Sequence, residues 1–404
     1  MSRKNNTTIN KNTISNNTIH FNTLETSFTK PNYKFYPENE EENHCHYISS
    51  RGFLKACDIH SLTPVSSIYD LIGYDFDFNT LEDDTKKESK SNKKPIIYTI
   101  YICNSAIPKF ADKLKNDKAF KKLKCKFIVV SGDSDDTCPD DLFNMYSNNG
   151  NQNDIDFKNF IENDKIIHWY SQNCLKNSTM NNNTNTSINT NTNTNTNTNM
   201  HKKLSQIPIG LAYHHLHNEE IEEEAKKIVS PMKQEELLDS IGNTTQQSKK
   251  MKLPFWEREL KCYINFNFPR NYIKSRFGYD RYEAITQIPK HLTFSEKNEV
   301  PRTVTWNTQA KYAFVVSPFG NGWDCHRTWE ALILGCIPIV KTSGLDSLYE
   351  DLPVLIVQDW TDITEKLLMS TITDFKKKHK KGEFNYDKLT LNYWMDKINS
   401  HKYI

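Results

Sequence analysis

Short apolar runs alternate with amphipathic segments along the first half of the chain. The runs lie at Ile96–Ile102, Phe127–Val130, Lys165–Tyr170 and Leu204–Ile209. Apolar runs of this length are typical of buried parallel strands, and the periodic segments around them are typical of crossover helices. The pattern therefore predicts a parallel α/β sheet in this half.

A second alternating series begins at Cys262–Phe268 and continues with apolar runs at Tyr312–Val316, Cys336–Val340 and Val354–Val357. The polar stretch 243–250 between the two series has the composition of an interdomain linker. We therefore predict an α/β protein in which two Rossmann-like domains face a cleft. The predicted units are a first domain over 31–245, a second domain over 251–385, and a C-terminal helix over 386–404 that packs back on the body.

Two tracts rich in Asn and Thr interrupt the globular pattern, at 1–30 and 177–200. Both carry too few apolar residues to offset the entropy of ordering, so we predict a disordered tail and a disordered insert. An insert of this length is tolerated inside a domain because the entropy of loop closure grows slowly with length. The tracts also help to explain why only 36% of the residues are hydrophobic.

Charge and cysteine content narrow the possible partners and compartment. The formal net charge of +2 gives no electrostatic reason to expect nucleic acid or an anionic membrane as a partner. Nine cysteines, spread singly and without a CxxC pair, favour a reducing compartment over a disulfide framework. Neither an N-terminal apolar segment nor a run of about eighteen apolar residues is present. We therefore expect a cytoplasmic protein without a membrane span.

The densest group of polar residues follows the strand predicted at Tyr312–Val316. The stretch Ser317–Leu334 has the pattern of a glycine-bearing loop followed by a helix, with Asp324 placed as the helix N-cap. Gly320 and Gly322 allow the backbone to approach a ligand closely, and free N–H groups at a helix N-terminus suit a diphosphate. The loop lies at the carboxyl end of a strand, which is where open α/β sheets bind ligands.

Arg327 and Glu330 lie three residues apart and therefore on one face of the predicted helix. A guanidinium group can hold phosphate oxygens with two hydrogen bonds, and a carboxylate can accept from ribose hydroxyls. A surface ion pair between the two is the competing interpretation. Ser317 and His326 are candidates for phosphate contact or for stabilising the turn. Arg270, after the first strand of this series, is a second candidate for the diphosphate or a surface residue.

The sequence from Gly320 to Val340, GNGWDCHRTWEALILGCIPIV, resembles the nucleotide-binding signature of exostosin-like glycosyltransferases. It is also similar to ribitol xylosyltransferases and to glycosyltransferases of giant DNA viruses, and the match continues through Leu345–Val357 and Trp360. The resemblance implies a GT-B fold, a nucleotide-sugar donor in the second domain, no metal or other cofactor, and inversion at the anomeric carbon. It also implies that Glu330 binds the ribose and that Arg327 lies near the diphosphate.

An inverting transferase needs a base that takes the proton of the acceptor hydroxyl. Asp133 and Asp135, in the loop after Val130, are the candidate catalytic residues, with His44, His46 and His60 as alternatives. A solvated turn is the competing interpretation for the two carboxylates. Residues 49–51, Ser-Ser-Arg, are candidates for contact with the acceptor or with phosphate, or a structural turn.

Three further groups have simpler interpretations. The potential zinc ligands within His44–His60 match no common zinc-binding spacing, so we predict no metal site. The lysine-rich segment Lys376–Lys381 is predicted to be a solvated face, with anion binding as the alternative. Tyr393 and Trp394 are predicted to be docking contacts of the C-terminal helix.

These features together predict a glycosyltransferase that passes a sugar from a nucleoside diphosphate to a hydroxyl acceptor such as a glycan. A catalytically silent protein that keeps a nucleotide or glycan pocket is the alternative. A different Rossmann-type enzyme is disfavoured, because no GxGxxG segment follows the strands predicted at Ile96 and Phe127 and no Walker A motif is present.

Overall fold

The computed structural model describes residues 19–20, 45–60, 95–143, 156–175, 201–213, 231–242, 253–266, 278–298 and 300–403. Several of the predictions fall outside these residues. They concern most of the tail 1–30, the insert 177–200, the linker 243–250, His44 and Arg270.

A parallel sheet of six strands forms the first half of the described fold. In both chain and sheet order the strands are β1 (Ile19–His20), β2 (Ile59–His60), β3 (Ile97–Cys103), β4 (Lys126–Gly132), β5 (Ile166–Ser171) and β6 (Leu204–Gln206). The buried central pair, β3 and β4, keeps one register over all seven residues, from Ile97 opposite Lys126 to Cys103 opposite Gly132. At β1 the structure departs from the predicted disordered tail, because these two residues pair with β2.

The helices described in this half are α1 (Ser50–Ala56), α2 (Ile107–Asn116), α3 (Lys118–Lys122), α4 (Phe157–Ile161) and α5 (Pro231–Gly242). The sequence pattern predicts one helix over Pro108–Lys122, whereas the structure divides it at Asp117. That residue adopts an extended conformation, and its carboxylate accepts from the backbone N–H of Phe120 in the next helix. Local capping by an Asp side chain therefore overrides the continuous helical pattern.

A second parallel sheet, of five strands, follows. Its strands are β7 (Glu259–Ile264), β8 (Thr293–Ser295), β9 (Tyr312–Val316), β10 (Ile337–Lys341) and β11 (Leu355–Val357), in the spatial order β11-β10-β9-β7-β8. Its helices are α6 (Asp280–Gln287), α7 (Arg302–Gln309), α8 (His326–Ile333) and α9 (Glu365–Lys380). Every residue of β9 is buried, as expected of a central parallel strand. Two parallel sheets with helices make a mixed α/β fold that is compatible with two Rossmann-like domains.

The last helix, α10 (Leu391–Asn399), returns to the first half of the molecule. The backbone carbonyl of Lys397 accepts from the hydroxyl of Tyr170 in β5, and Lys402 forms an ion pair with Asp58 across 2.6 Å. Trp394 is buried and donates to the backbone carbonyl of Lys388. In the part of the chain that the structure describes, no helix combines the length and apolar character needed to cross a membrane.

Candidate active site

Two strand-end loops, one from each sheet, meet between the two halves. The loop Phe319–Trp323 follows β9, and the loop Asp133–Thr137 follows β4. A Cβ atom built on Gly322 would lie 3.0 Å from Asn173 Nδ2 and 3.2 Å from Asp135 Oδ1. The structure thus brings two predicted site residues, Gly322 and Asp135, together from opposite halves of the chain. Only a glycine at position 322 permits this approach without displacing a neighbour.

Asn173 contacts both of these loops. Its side-chain Nδ2 donates to the backbone carbonyl of Ser134 over 2.9 Å, and its Oδ1 accepts from the backbone N–H of Asp324 over 2.9 Å. The residue adopts a left-handed conformation with φ of 49°, which asparagine tolerates better than most side chains. Sequence reasoning missed Asn173, because nothing in the pattern after β5 distinguishes it from an ordinary turn residue.

Asp324 does not cap the following helix, which corrects the sequence prediction. Helix α8 begins at His326, and its N-cap residue is Cys325, without a capping bond from the side chain. The Asp324 carboxylate instead accepts from the backbone N–H of Ile209 at 2.8 Å and from Trp329 Nε1 at 2.9 and 3.0 Å. Burial raises the pKa of Asp324 to about 6, in opposition to these donors. Asp324 is therefore a contact between the two halves of the chain, because protein donors already occupy its oxygens.

Ile209, whose backbone N–H donates to Asp324, belongs to a segment that we call the crossbar, residues 206–213. At one end, Gln206 Nε2 donates to the backbone carbonyl of Gly344 over 2.7 Å, and Gln206 Oε1 accepts from Ser347 Oγ over 2.7 Å. In the middle, Gly210 has φ of 67°, and a Cβ atom there would lie 2.1 Å from the backbone oxygen of Ile48. The crossbar thus packs on the first half while it bonds to the second.

The loop Phe319–Trp323, which we call the glycine loop, is held in place by hydrogen bonds with the first turn of α6. The backbone N–H of Phe319 donates to Asp280 Oδ2 over 2.8 Å, and Trp360 Nε1 donates to Asp280 Oδ1 over 2.7 Å. The next residue, Arg281, donates from Nε to the carbonyl of Phe319 over 3.3 Å. Its Nη2 would lie 3.0 Å from a Cβ atom on Gly320. Arg281 was not predicted, because no motif or spacing in the sequence relates it to a loop that lies across the sheet.

Arg327 provides a second guanidinium group near the same loop. Its guanidinium carbon lies 5.3 Å from the centre of the Phe266 ring, and its Nη1 is buried without a hydrogen-bond partner among the described residues. Burial lowers the pKa of Arg327, and the positive charge of Arg281 acts in the same direction. An anion between or beside the two guanidinium groups would offset this effect on Arg327.

Glu330 is buried, so the surface ion pair considered from the sequence does not describe it. Its Oε2 accepts from Trp306 Nε1 over 3.2 Å, and its Oε1 lies 3.7 Å from Arg302 Nη2. Arg302 also donates from Nη1 to the backbone carbonyl of Ala212, in the crossbar, over 2.8 Å. The environment of Glu330 therefore depends on contacts with the first half of the molecule.

His326 and Ser317 both take part in structural contacts. Nδ1 of His326 lies 2.7 Å from the backbone carbonyl of Gly210. Because a carbonyl only accepts, Nδ1 carries the proton, and burial lowers the pKa of the ring. Ser317 is buried, with its Oγ 2.8 Å from Thr328 Oγ1. These contacts fit the alternative in which both residues stabilise the turn and the interface.

Asp133 has different surroundings from the carboxylates of the second half. It is half-buried with φ of 56°, and its backbone N–H donates to Gln172 Oε1 over 3.0 Å. Desolvation and the charge of Asp135 raise the pKa of Asp133, Arg51 opposes them, and the net result is a pKa of about 7. A carboxylate that titrates near neutral pH suits general-base chemistry. Asp135 is exposed at the edge of the glycine loop and is the weaker of the two candidates.

Residues 49–51 are linked to the Asp133 loop through Gln172, whose side-chain oxygen accepts from both Ser50 and the Asp133 backbone. Ser49 Oγ accepts from the backbone N–H of Gly52 and thereby caps α1, over 3.0 Å. Ser50 Oγ donates to Gln172 Oε1 over 3.2 Å, and Gln172 Nε2 donates to the carbonyl of Pro208 over 3.1 Å. Ser49 therefore caps a helix and Ser50 bonds to the Gln172 amide, so both of these predicted contact residues have structural roles.

The remaining candidates lie elsewhere. No group of three or more His, Cys, Asp or Glu side chains suited to a metal occurs among the described residues, and the absence of a metal stays a prediction. The backbone N–H of His46 donates to Glu235 Oε2 over 3.0 Å. Most of the lysine side chains in Lys376–Lys381 are exposed at the end of α9, away from the two loops.

No protein-family model matches the chain, and a search of curated proteins returned no match. The resemblance to exostosin-like transferases stays a prediction. Function has to be inferred from the chemistry of the site.

Proposed function

We propose that this chain is a glycosyltransferase of the GT-B type, which passes a sugar from a nucleoside diphosphate to a hydroxyl acceptor with inversion. The observation that supports the proposal is that two loops lie next to each other, one beside two positively charged arginines and one containing a carboxylate. One is a glycine loop flanked by Arg281 and Arg327, and the other contains Asp133 with a pKa of about 7. Charge neutralisation on one side and proton removal on the other are what such a transfer needs.

On the donor side, the diphosphate would lie against Gly320–Gly322. Arg281 and Arg327 would stabilise the negative charge that develops as the sugar–phosphate bond breaks. Backbone N–H groups at the start of α8 would add a favourable dipole. Glu330 is assigned to the ribose, because a carboxylate has about four acceptor positions and Trp306 Nε1 takes one of them.

On the acceptor side, Asp133 would accept the proton of the attacking hydroxyl. The new carbon–oxygen bond forms on the face of the anomeric carbon opposite the diphosphate, which leaves with the electron pair of the broken bond. The proton stays on Asp133 until solvent removes it. A pKa of about 7 lets this carboxylate take the proton and release it again near neutral pH.

A panel of nucleoside diphosphates and their sugars tests the donor side through thermal stabilisation, because a bound ligand raises the midpoint by mass action. We expect one base to be selected, and Arg281→Ala to weaken its binding about tenfold or more. Lys377→Ala, in the exposed lysine segment, is the matched loss of a cation and should leave binding unchanged. A flat response to every nucleotide would contradict the proposal, and selective weakening by Lys377→Ala would move the anion site to α9.

A donor-hydrolysis assay separates the transferase from the catalytically silent alternative. A transferase should slowly release sugar from the selected donor even without its acceptor, since water can replace the hydroxyl. Selective nucleotide binding without any release of sugar would support the silent protein.

A further inference from the structure

Two buried thiols lie side by side beneath the Asp133–Thr137 loop. Cys138 and Cys174 are partners in an isolated parallel β-bridge, and their relative exposures are 1% and 0%. The backbone N–H of Cys138 donates to the carbonyl of Asn173 over 3.0 Å, and the N–H of Leu175 donates to the carbonyl of Cys138 over 3.3 Å. Because these two bonds flank Cys174, the two Cys side chains leave the backbone as neighbours.

The spacing of the pair suits a covalent bond. Neighbouring paired strands lie about 4.8 Å apart, which falls within the range of about 4.4–6.8 Å between Cα atoms that a disulfide spans. The two thiol groups are also in hydrogen-bonding contact. A disulfide could therefore form here without a large movement of the backbone. The pair is not apparent in the sequence, because 35 residues that include helix α4 and strand β5 separate the two cysteines.

A disulfide between Cys138 and Cys174 would restrain the Asp133–Thr137 loop. Cys138 comes directly after the loop that contains Asp133 and Asp135, and Cys174 comes directly after Asn173. As described above, Asn173 contacts both the loop, through Ser134, and the second half, through Asp324. A bond between the two sulfurs would join the end of the loop to the residue that follows Asn173.

We propose that Cys138 and Cys174 form a reversible disulfide, which fastens the Asp133–Thr137 loop to Asn173 when the chain meets a peroxide. One sulfur attacks a peroxide oxygen, the O–O bond breaks, and a sulfenic acid and water result. The second sulfur then displaces the sulfenic oxygen as a second water, and the S–S bond forms. The two thiols together lose two electrons and two protons to the peroxide. The proposal holds whether or not the chain is a transferase.

The reaction should be slow in the closed fold. Burial raises the pKa of Cys138, and the neighbouring Cys174 acts in the same direction, so little thiolate is present at neutral pH. Oxidation then requires either opening of the loop or encounter with oxidant while the chain folds. A thiol that is buried in the same apolar cluster but lies outside the pair, Cys125, provides the comparison.

The full chain is oxidised in two arms and digested without reductant for peptide mass spectrometry. In one arm the folded protein is treated with hydrogen peroxide, and in the other the unfolded protein refolds in a glutathione redox buffer. We expect a cross-linked peptide that joins Cys138 to Cys174 in at least one arm, its loss on reduction, and a midpoint raised by several °C. Cys125→Ala should leave the cross-link intact, whereas Cys138→Ala and Cys174→Ala should remove it.

Two results would overturn the proposal. The first is the absence of the Cys138–Cys174 peptide from both arms, which the wild-type chain alone can establish if the variants fail to fold. The second concerns the loop: hydrogen exchange of the amides of residues 133–138 should slow in the oxidised protein. An unchanged exchange rate would mean that the bond forms without fastening the loop.

Discussion

Asp324 in the second half and Asp133 in the first half make an instructive comparison. Both follow a central strand of a parallel sheet, and burial raises the pKa of each carboxyl, to about 6 and about 7 respectively. Backbone and side-chain donors oppose the shift at Asp324, whereas at Asp133 a second carboxylate adds to it and the Arg51 charge opposes it. The same residue type thus serves as a contact between the two halves in one loop and as a candidate base in the other.

The largest expected effect comes from Asp133→Asn. If Asp133 is the base, sugar transfer should fall about 10²–10⁴-fold, because an amide cannot take the acceptor proton. Asp140→Asn, at an exposed position shortly after the same loop, should leave the rate unchanged. Initial rates with the selected donor measure both variants. A rate for Asp133→Asn within a factor of about ten of the wild type would remove Asp133 from the catalytic role.

The same substitution also tests the sign of a pH dependence. The folded pKa of Asp133, about 7, lies above its ordinary value of 3.8, so the folded state binds the proton more tightly than the unfolded state. This carboxyl therefore contributes stability that is complete below about pH 4 and is lost as the pH rises through about 7. Asp133→Asn should accordingly flatten the fall in midpoint between pH 4 and 7. A steeper fall in the variant would contradict the assignment.

Asp324→Asn is expected to have the next largest effect, on stability rather than on chemistry. The amide keeps one acceptor oxygen and turns an N–H donor toward either Ile209 N or Trp329 Nε1, which are themselves donors. One buried donor is then unsatisfied, so we expect a loss of about 3 kcal/mol in the free energy of unfolding. Denaturant titration measures it, with Asp374→Asn on the exposed face of α9 as the control. Equal stability of the two variants would show that Asp324 does not join the halves.

Gly210→Ala and Gly382→Ala separate backbone strain from crowding in the crossbar. The two glycines have nearly equal φ angles of 67° and 69°, so alanine should cost about 1 kcal/mol at either position. At Gly382 nothing lies within 4 Å of the added Cβ atom, whereas at Gly210 it would lie 2.1 Å from the oxygen of Ile48. We expect Gly210→Ala to cost roughly 2 kcal/mol more, through displacement of the crossbar. Similar unfolding midpoints for the two variants would contradict the close packing.

The smallest expected effect is a shift in the pH profile on Asp135→Asn. The charge of Asp135 raises the pKa of Asp133, so its removal should lower that pKa. Since the base must be deprotonated, the rise of activity with pH should then begin at lower pH. The pH dependence of kcat/KM measures the shift, with Asp140→Asn as the matched neutralisation. A loss of transfer of about 10²-fold or more, in place of a shift, would indicate that Asp135 itself supplies the base.

The positions of most strands, and of the loops with polar side chains, can be predicted from local patterns in the sequence. An apolar run that ends in glycines or carboxylates is a local signal, and it located β4 with Asp133 as well as β9 with Gly320 and Gly322. The approximate range of α8 was readable for the same reason, because its apolar face repeats with the helical period. Strand β8, with three residues, has too short a pattern to be recognised.

The contacts of each polar side chain depend instead on how the folded chain packs. The crossbar brings Ile209 to Asp324, the fold places Arg281 beside Gly320, and a β-bridge joins Cys138 to Cys174. In each case the partner comes from a distant part of the chain. The sequence therefore cannot distinguish a carboxylate that is hydrogen-bonded to such a donor, like Asp324, from a candidate base, like Asp133. The pairing of segments depends on how the whole chain packs, which no local pattern contains.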